Sequence, residues 1–223
     1  MKIIDYADRD MLAINLAQEL AGQLETVLFN HDTASLAVPG GTTPGPVFDA
    51  LCAASLDWSR VRVLPTDERW VPEDDARSNA RLIRKRLLTE RAASAELVPL
   101  YRAGMTPEEA VADVAASLAP CLPLSVLLLG MGEDMHVASL FPGAPGMAQA
   151  LAADAGPVAV VRPETQPEQR LTLTGPVLDG ALSKHLVIYG SSKKAALERA
   201  LTMPPEEAPV QAVLEELTVH WAE

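Results

Sequence analysis

Leu124-Ser125-Val126-Leu127-Leu128-Leu129-Gly130-Met131-Gly132 is the stretch from which the architecture is read. A half-solvated strand alternates apolar and polar side chains, and Val126 to Leu129 does not alternate at all. An unbroken apolar run that stops at glycine predicts a strand covered on both faces, the habit of parallel sheets. Ser35 to Val38, running into Pro39-Gly40-Gly41, and His185 to Tyr189, running into Gly190, repeat the pattern.

Working outward, Lys2 to Tyr6, Val61 to Pro65, Val158 to Arg162, Arg170 to Thr174 and a short Thr218 to Trp221 also read as strands. Between them lie segments of helical period. Arg9 to Leu28 sets Leu12, Leu16, Leu20 and Leu24 at i, i+4 spacing, one buried stripe on a long helix. Thr43 to Ala54, Ser78 to Leu88, Pro107 to Leu118 and Ser192 to Leu201 read as helices too, and Gly143 to Gly156 and Pro163 to Gln169 as loops. Alternating strands and helices without a dividing linker predict one domain over residues 1–223. Its expected class is α/β, with a mostly parallel, Rossmann-like sheet and helices on both faces.

The chain has 223 residues, 48% of them hydrophobic, and a net charge of −12. That excess of acid argues against nucleic acid and anionic membrane as partners, since both demand a basic surface. It leaves room for an anionic small molecule, because a few local donors overrule the global sign inside a cleft. Cys52 and Cys121 are the sole cysteines and read as reduced core thiols. Met1 to Asp10 has no signal-like apolar stretch, and no run is long enough to span a bilayer, so the expected compartment is the cytoplasm.

In open α/β sheets ligands gather beyond the carboxyl ends of the strands, and four such ends carry unusual chemistry. Pro39-Gly40-Gly41-Thr42-Thr43-Pro44 offers paired glycines, hydroxyls and a helix start, a cradle for phosphate; the plain alternative is a tight turn with a threonine N-cap. Thr66-Asp67-Glu68-Arg69-Trp70-Val71-Pro72 sets two acids and an arginine at a strand exit, where a surface ion-pair cluster is the alternative. Gly130 to Pro142 turns on Gly130 and Gly132 to present Asp134 and His136. An imidazole with an ordinary pKa near 6.5 takes a proton from water at neutral pH, and a neighbouring carboxylate fixes its tautomer. Met135 stands where a dinucleotide fingerprint needs its third glycine, which sets that reading aside. Gly190-Ser191-Ser192-Lys193-Lys194 puts a lysine in a helix's first turn, against the dipole, a position that makes sense if Lys193 reaches an anion there. Arg81 to Arg86 is basic, but Leu82, Ile83 and Leu87 give that helix an apolar face, so its charges read as solvated.

Taken in order, these stretches, with Arg170-Leu171-Thr172-Leu173-Thr174, resemble the 6-phosphogluconolactonases, within the group that includes glucosamine-6-phosphate deaminases and ribose-5-phosphate isomerases. The resemblance implies hydrolysis of 6-phospho-D-glucono-1,5-lactone in the oxidative pentose phosphate route, with a small sugar-phosphate lactone as partner and no cofactor or metal. It implies that His136 is the general base, that Asp134 orients it and that Asp67 lines the catalytic site. Gly40, Gly41, Thr42, Arg69, Arg170 and Lys193 would hold substrate and phosphate. The commonest family form has glycine where this chain has Met135; if that position needs φ > 0, methionine costs on the order of 1 kcal/mol or more. Two rivals differ in kind. A deaminase would place a carboxylate shortly after the histidine, where this chain has Leu140-Phe141-Pro142; a non-catalytic sugar-phosphate sensor would carry a DNA-binding module, for which the chain has neither spare length nor a basic head. Oligomeric state and the part of Glu133 are open at this point.

Overall fold

The computed structural model of the chain describes residues 1–164 and 166–223. Its strands are β1 (Lys2–Asp5), β2 (Ala34–Val38), β3 (Val61–Pro65), β4 (Asp67–Arg69), β5 (Glu96–Leu97), β6 (Val126–Gly130), β7 (Val158–Val161), β8 (Arg170–Leu173), β9 (Lys184–Tyr189) and β10 (Thr218–Ala222). Its α-helices are α1 (Arg9–Asn30), α2 (Gly45–Leu51), α3 (Asn79–Arg86), α4 (Pro107–Leu118), α5 (Met147–Leu151), α6 (Gly175–Asp179) and α7 (Ser191–Ala200).

Seven strands form one parallel sheet in the order β1-β10-β9-β6-β2-β3-β5. The apolar runs do what their patterning predicted: all five residues of β2 and the first four of β6 are buried. Alternate residues feed two clusters. Leu36, Val38, Val126, Leu128 and Val187 face α1, α2 and α3, while Ala37, Leu127, Leu129, Leu186 and Ile188 face α4, α6 and α7. α1 buries Leu12, Leu16, Leu20, Leu24 and Leu28, and starts where the Asp8 carboxylate accepts from the Met11 N–H at 2.7 Å. α4 starts on a reciprocal pair, Thr106 with Glu109.

The sheet's order places the functional crevice. From β2 the chain moves outward through β3 to β5; from β6 it moves the other way, through β9 to β10. The reversal falls between β2 and β6, which are hydrogen-bonded neighbours, so the loops after Val38 and Gly130 diverge and leave a cleft.

Three expectations need correction. Val158–Val161 and Arg170–Leu173 do not join the parallel sheet; with β4 they make a separate antiparallel sheet, β4-β8-β7. Thr66 to Pro72, read as a strand exit, contains β4, whose sequence Asp-Glu-Arg lacks any strand signal. It is extended because Thr66 is clamped on both sides: its N–H donates to Val38 (2.9 Å) and its C=O accepts from Leu173 (2.8 Å). Gly143 to Gly156 is no simple loop, because Met147 to Leu151 form a helical turn burying Met147 and Ala150. Pro163 to Gln169 carries no helix or strand among its described residues; Thr165 lies outside them.

Candidate active site

The loops after β2, β6 and β9 and one face of the small sheet enclose a cavity of about 310 Å³. Gly40, Gly41, Thr42, Asp67, Arg69, His136, Arg170 and Lys193, eight of the nine expected site residues, line it; Asp134 stands directly behind His136. The turn at Gly40-Gly41 and the amino end of α7 therefore look into one space. Three cationic side chains and one carboxylate line it, a local excess of positive charge on a chain of net −12.

The glycine loop is shaped by close approach and by backbone. A Cβ on Gly40 would come within 2.0 Å of the Asn79 carboxamide, and Gly41 has φ +82°. Neither threonine caps α2, whose N-cap is Pro44 with no side-chain bond, so the hydroxyls of Thr42 and Thr43 are not spent on capping.

His136 sits at the end of a closed turn. The Met135 N–H donates to the Gly132 C=O, and the Gly132 N–H donates to the His136 C=O, both at 3.0 Å. Inside it Asp134 Oδ1 lies 2.5 Å from His136 Nδ1, and the His136 N–H donates to the same oxygen at 3.3 Å. Hydrogen bonding from His136 holds the Asp134 carboxyl below its ordinary range. Any side chain at Gly132 would displace this pair, since a Cβ there would press to 2.3 Å on His136 Nδ1 and 2.4 Å on Asp134 Oδ1. With Nδ1 committed to Asp134, Nε2 is the free ring nitrogen.

Met135 does occupy the left-handed region, at φ 66°. The strain is offset by anchoring: the side chain is buried in the core and its C=O accepts from the Val210 N–H at 3.1 Å. Phe141 packs on the imidazole with ring centroids 4.4 Å apart, and the Arg170 guanidinium lies 5.9 Å from the same ring.

The register of the small sheet brings the charges together. Arg69 pairs with Arg170 and Asp67 with Thr172, so one face presents Asp67, Arg69 and Arg170. Asp67, expected among the catalytic residues, contacts neighbours other than His136: Ser139 Oγ donates to Oδ2 at 2.5 Å, and Arg170 lies 3.7 Å from it. Arg170 also donates to Gln166 at 2.6 Å, and Arg69 to Asn79 at 3.1 Å. The Nε atoms of both arginines are buried without a partner among the described residues. Burial pulls the Lys193 ammonium below its usual value, which the Glu133 carboxylate opposes. Glu133 does not assist the imidazole; it accepts from Ser192 Oγ at 3.0 Å and ties the histidine loop to α7.

Glu68, adjacent to Asp67, points away from the cavity. It accepts from the backbone N–H groups of Arg69, Asn79 and Ala80, fastening β4 to the start of α3. The supporting contacts of Ser139, Gln166 and Glu68 have no counterpart in the sequence analysis. They are set by packing between segments remote in sequence, and nothing in spacing announces them.

The family described as glucosamine-6-phosphate isomerases/6-phosphogluconolactonase matches residues 7–221 of this chain. A 6-phosphogluconolactonase of Pseudomonas aeruginosa is 44% identical, the match covering 94% of this chain and 90% of that one. One of Rhizobium meliloti is 41% identical over 97% of both. The crystal structure of a 6-phosphogluconolactonase from Shewanella baltica superposes with a TM-score of 0.96 at 32% identity, covering 100% of this chain and 98% of that one.

Proposed function

The chain belongs to the glucosamine-6-phosphate isomerase/6-phosphogluconolactonase family, and from it we infer a lactone hydrolase that converts 6-phospho-D-glucono-1,5-lactone to 6-phospho-D-gluconate. This is the ring-opening step of the oxidative pentose phosphate pathway. The observation that carries the reading is the His136–Asp134 pair, 2.5 Å apart, facing the same cavity as Gly41, Arg170 and Lys193.

Each residue then has a part. The substrate's phosphate lies against the Gly40-Gly41 backbone and Thr42, with Arg69, Arg170 and Lys193 supplying charge-assisted donors. The lactone carbonyl sits over His136. Nε2 removes a proton from a water, whose oxygen bonds to the carbonyl carbon; Asp134 stabilises the imidazolium that forms. Collapse of the tetrahedral adduct breaks the bond to the ring oxygen, which takes the proton back from Nε2 and leaves as the sugar's hydroxyl. Asp67 holds Arg170 in place rather than moving protons. Phe141 favours hydrolysis over deamination, because a phenyl ring packed on His136 supplies no charge or proton at the position where a deaminase would carry a carboxylate.

The reading includes one catalytic domain over residues 1–223, a cytoplasmic setting and a freely diffusing substrate. It is supported by the net charge of −12 and by the fact that, among the described residues, no helix is long and apolar enough to cross a membrane. The test is a coupled lactonase assay corrected for spontaneous hydrolysis. Turnover that disappears with His136→Ala supports the assignment. Ammonia released from glucosamine 6-phosphate would move it to a deaminase, and tight ligand binding without turnover would move it to a sensor.

A further inference from the structure

His185 and His220 take no part in that chemistry. They lie on the α1 face of the sheet, and His185 is the second residue of β9, roughly 16 Å of strand upstream of Gly190. Both are buried, which obliges every ring nitrogen to find a partner. The Tyr6 hydroxyl is 2.8 Å from His220 Nδ1, His220 Nε2 is 3.0 Å from His185 Nδ1, and His185 Nε2 is 2.8 Å from Gln23 Oε1. Beside this chain, Glu19 Oε2 lies 4.0 Å from His220 Nε2 on a side chain 37% exposed.

The tautomers follow from the chain's ends. The Gln23 amide turns its NH₂ to Glu19 Oε1 at 3.5 Å, so its oxygen faces His185 and accepts from Nε2–H. His185 therefore presents Nδ1 as a bare electron pair. In the closed network His220 fills it by donating from Nε2, while the Tyr6 hydroxyl donates to His220 Nδ1. Shift that one proton to Nδ1, where the Tyr6 oxygen accepts it, and the centre changes character. Three electron-pair donors then lie together, two imidazole nitrogens and a carboxylate oxygen, all within 4.8 Å of one another.

We propose that Glu19, His185 and His220 form a binding site for one first-row divalent cation of the zinc class, joining α1 to β9 and β10. Two nitrogens and one oxygen suit zinc, cobalt or nickel and not magnesium or calcium, which take oxygen ligands. Bonds of about 2.0–2.1 Å put neighbouring ligand atoms about 3.0–3.5 Å apart. The two nitrogens already lie 3.0 Å apart; each ring tilts off the line that joins them, and Glu19 closes on them by a rotamer change at the protein surface, which is also the ion's way in. Tyr6 and Gln23 accept from the outer ring N–H groups, the arrangement that orients metal-bound imidazoles. The ion is structural, and lactone hydrolysis does not pass through it.

The experiment uses the full chain, freed of metal by chelator and titrated with Co²⁺ and then Zn²⁺. His136→Ala is run in parallel, so that binding at the cavity's own imidazole is recognised. The expected result is one Co²⁺ per chain with the visible absorption of mixed nitrogen–oxygen coordination, displaced by Zn²⁺, and a melting temperature raised by either metal. Binding should persist in His136→Ala, weaken at least about tenfold in Glu19→Gln and vanish in His185→Gln. Should His185→Gln fail to fold, Glu19→Gln decides alone, because its side chain is partly solvated. No saturable binding up to roughly 1 mM metal, equal binding by Glu19→Gln and the parent, or loss of binding in His136→Ala would each overturn the proposal.

Discussion

His136 stands at the rim of the sheet with an anionic carboxylate on one ring nitrogen and the cavity before the other; His185 and His220 lie beneath α1, sharing hydrogen bonds with each other, Tyr6 and Gln23. The side group is the same in both places. What differs is whether its positive form has company. Asp134 would steady a proton arriving at His136, and the cavity would admit the water that gives one up. The buried pair has no carboxylate within hydrogen-bond distance and burial disfavours a proton there, so both rings stay neutral and serve as joints. An imidazole's work in this fold is set by its surroundings.

The sharpest way to break that comparison is to remove each imidazole in turn. His136→Ala should lower kcat by about 10² or more, with substrate still bound and the melting temperature within about 2 °C of the parent. His185→Gln should leave kcat near the parent's and lower the melting temperature instead. A stability loss from the first, or a rate loss from the second, would erase the distinction.

Acid is the next probe. In the unfolded chain the two buried histidines titrate near 6.5, and in the folded chain at about 4 and about 3. Between pH 6.5 and 4 the unfolded state therefore binds more protons. Their contribution to stability is whole above that window and is lost as pH falls through it, on the order of 3 kcal/mol for His185 alone. Urea midpoints measured from pH 7 to 4.5 should fall accordingly, with a shallower fall in His185→Gln.

On the catalytic side, Lys193→Ala should weaken substrate binding by about 1.5–3 kcal/mol, seen as a raised KM with little change in kcat. Arg170→Ala is a less clean test, since it strips the buried Asp67 carboxylate of its cationic neighbour and should also lower stability. The smallest effect is expected at Met135. Glycine there relieves about 1 kcal/mol of left-handed strain but gives up a buried side chain worth about 2 kcal/mol, so Met135→Gly should cost about 1 kcal/mol in a denaturant titration and leave the rate nearly unchanged.

Much of the site was legible because its pieces are local. Gly40-Gly41, Asp134-Met135-His136 and Lys193 each follow an apolar strand directly, so the rule that ligands meet the carboxyl ends of parallel strands was enough to gather them. Asp67 and Arg69 were found for a reason only half right: they belong to a strand of a second sheet, visible once the partner residues 170–173 are in place. Glu68 beside them reads like a site acid and is instead the clasp of α3. The histidine pair carries no local signal, as His185 and His220 are 35 residues apart in sequence and each looks like one polar residue in an apolar strand.

The chain's own order of residues determined the parallel core, the helix that stripes it and the place of His136 at the sheet's rim, because burial on both faces and a turn of glycines are properties of short contiguous segments. Tertiary structure alone decided what Asp67, Glu68 and Glu133 hold, where the arginines aim and which histidines are sealed from water. Those outcomes depend on β4 meeting β8 and on α1 lying across β9 and β10, contacts between segments that neither periodicity nor local propensity relates to one another.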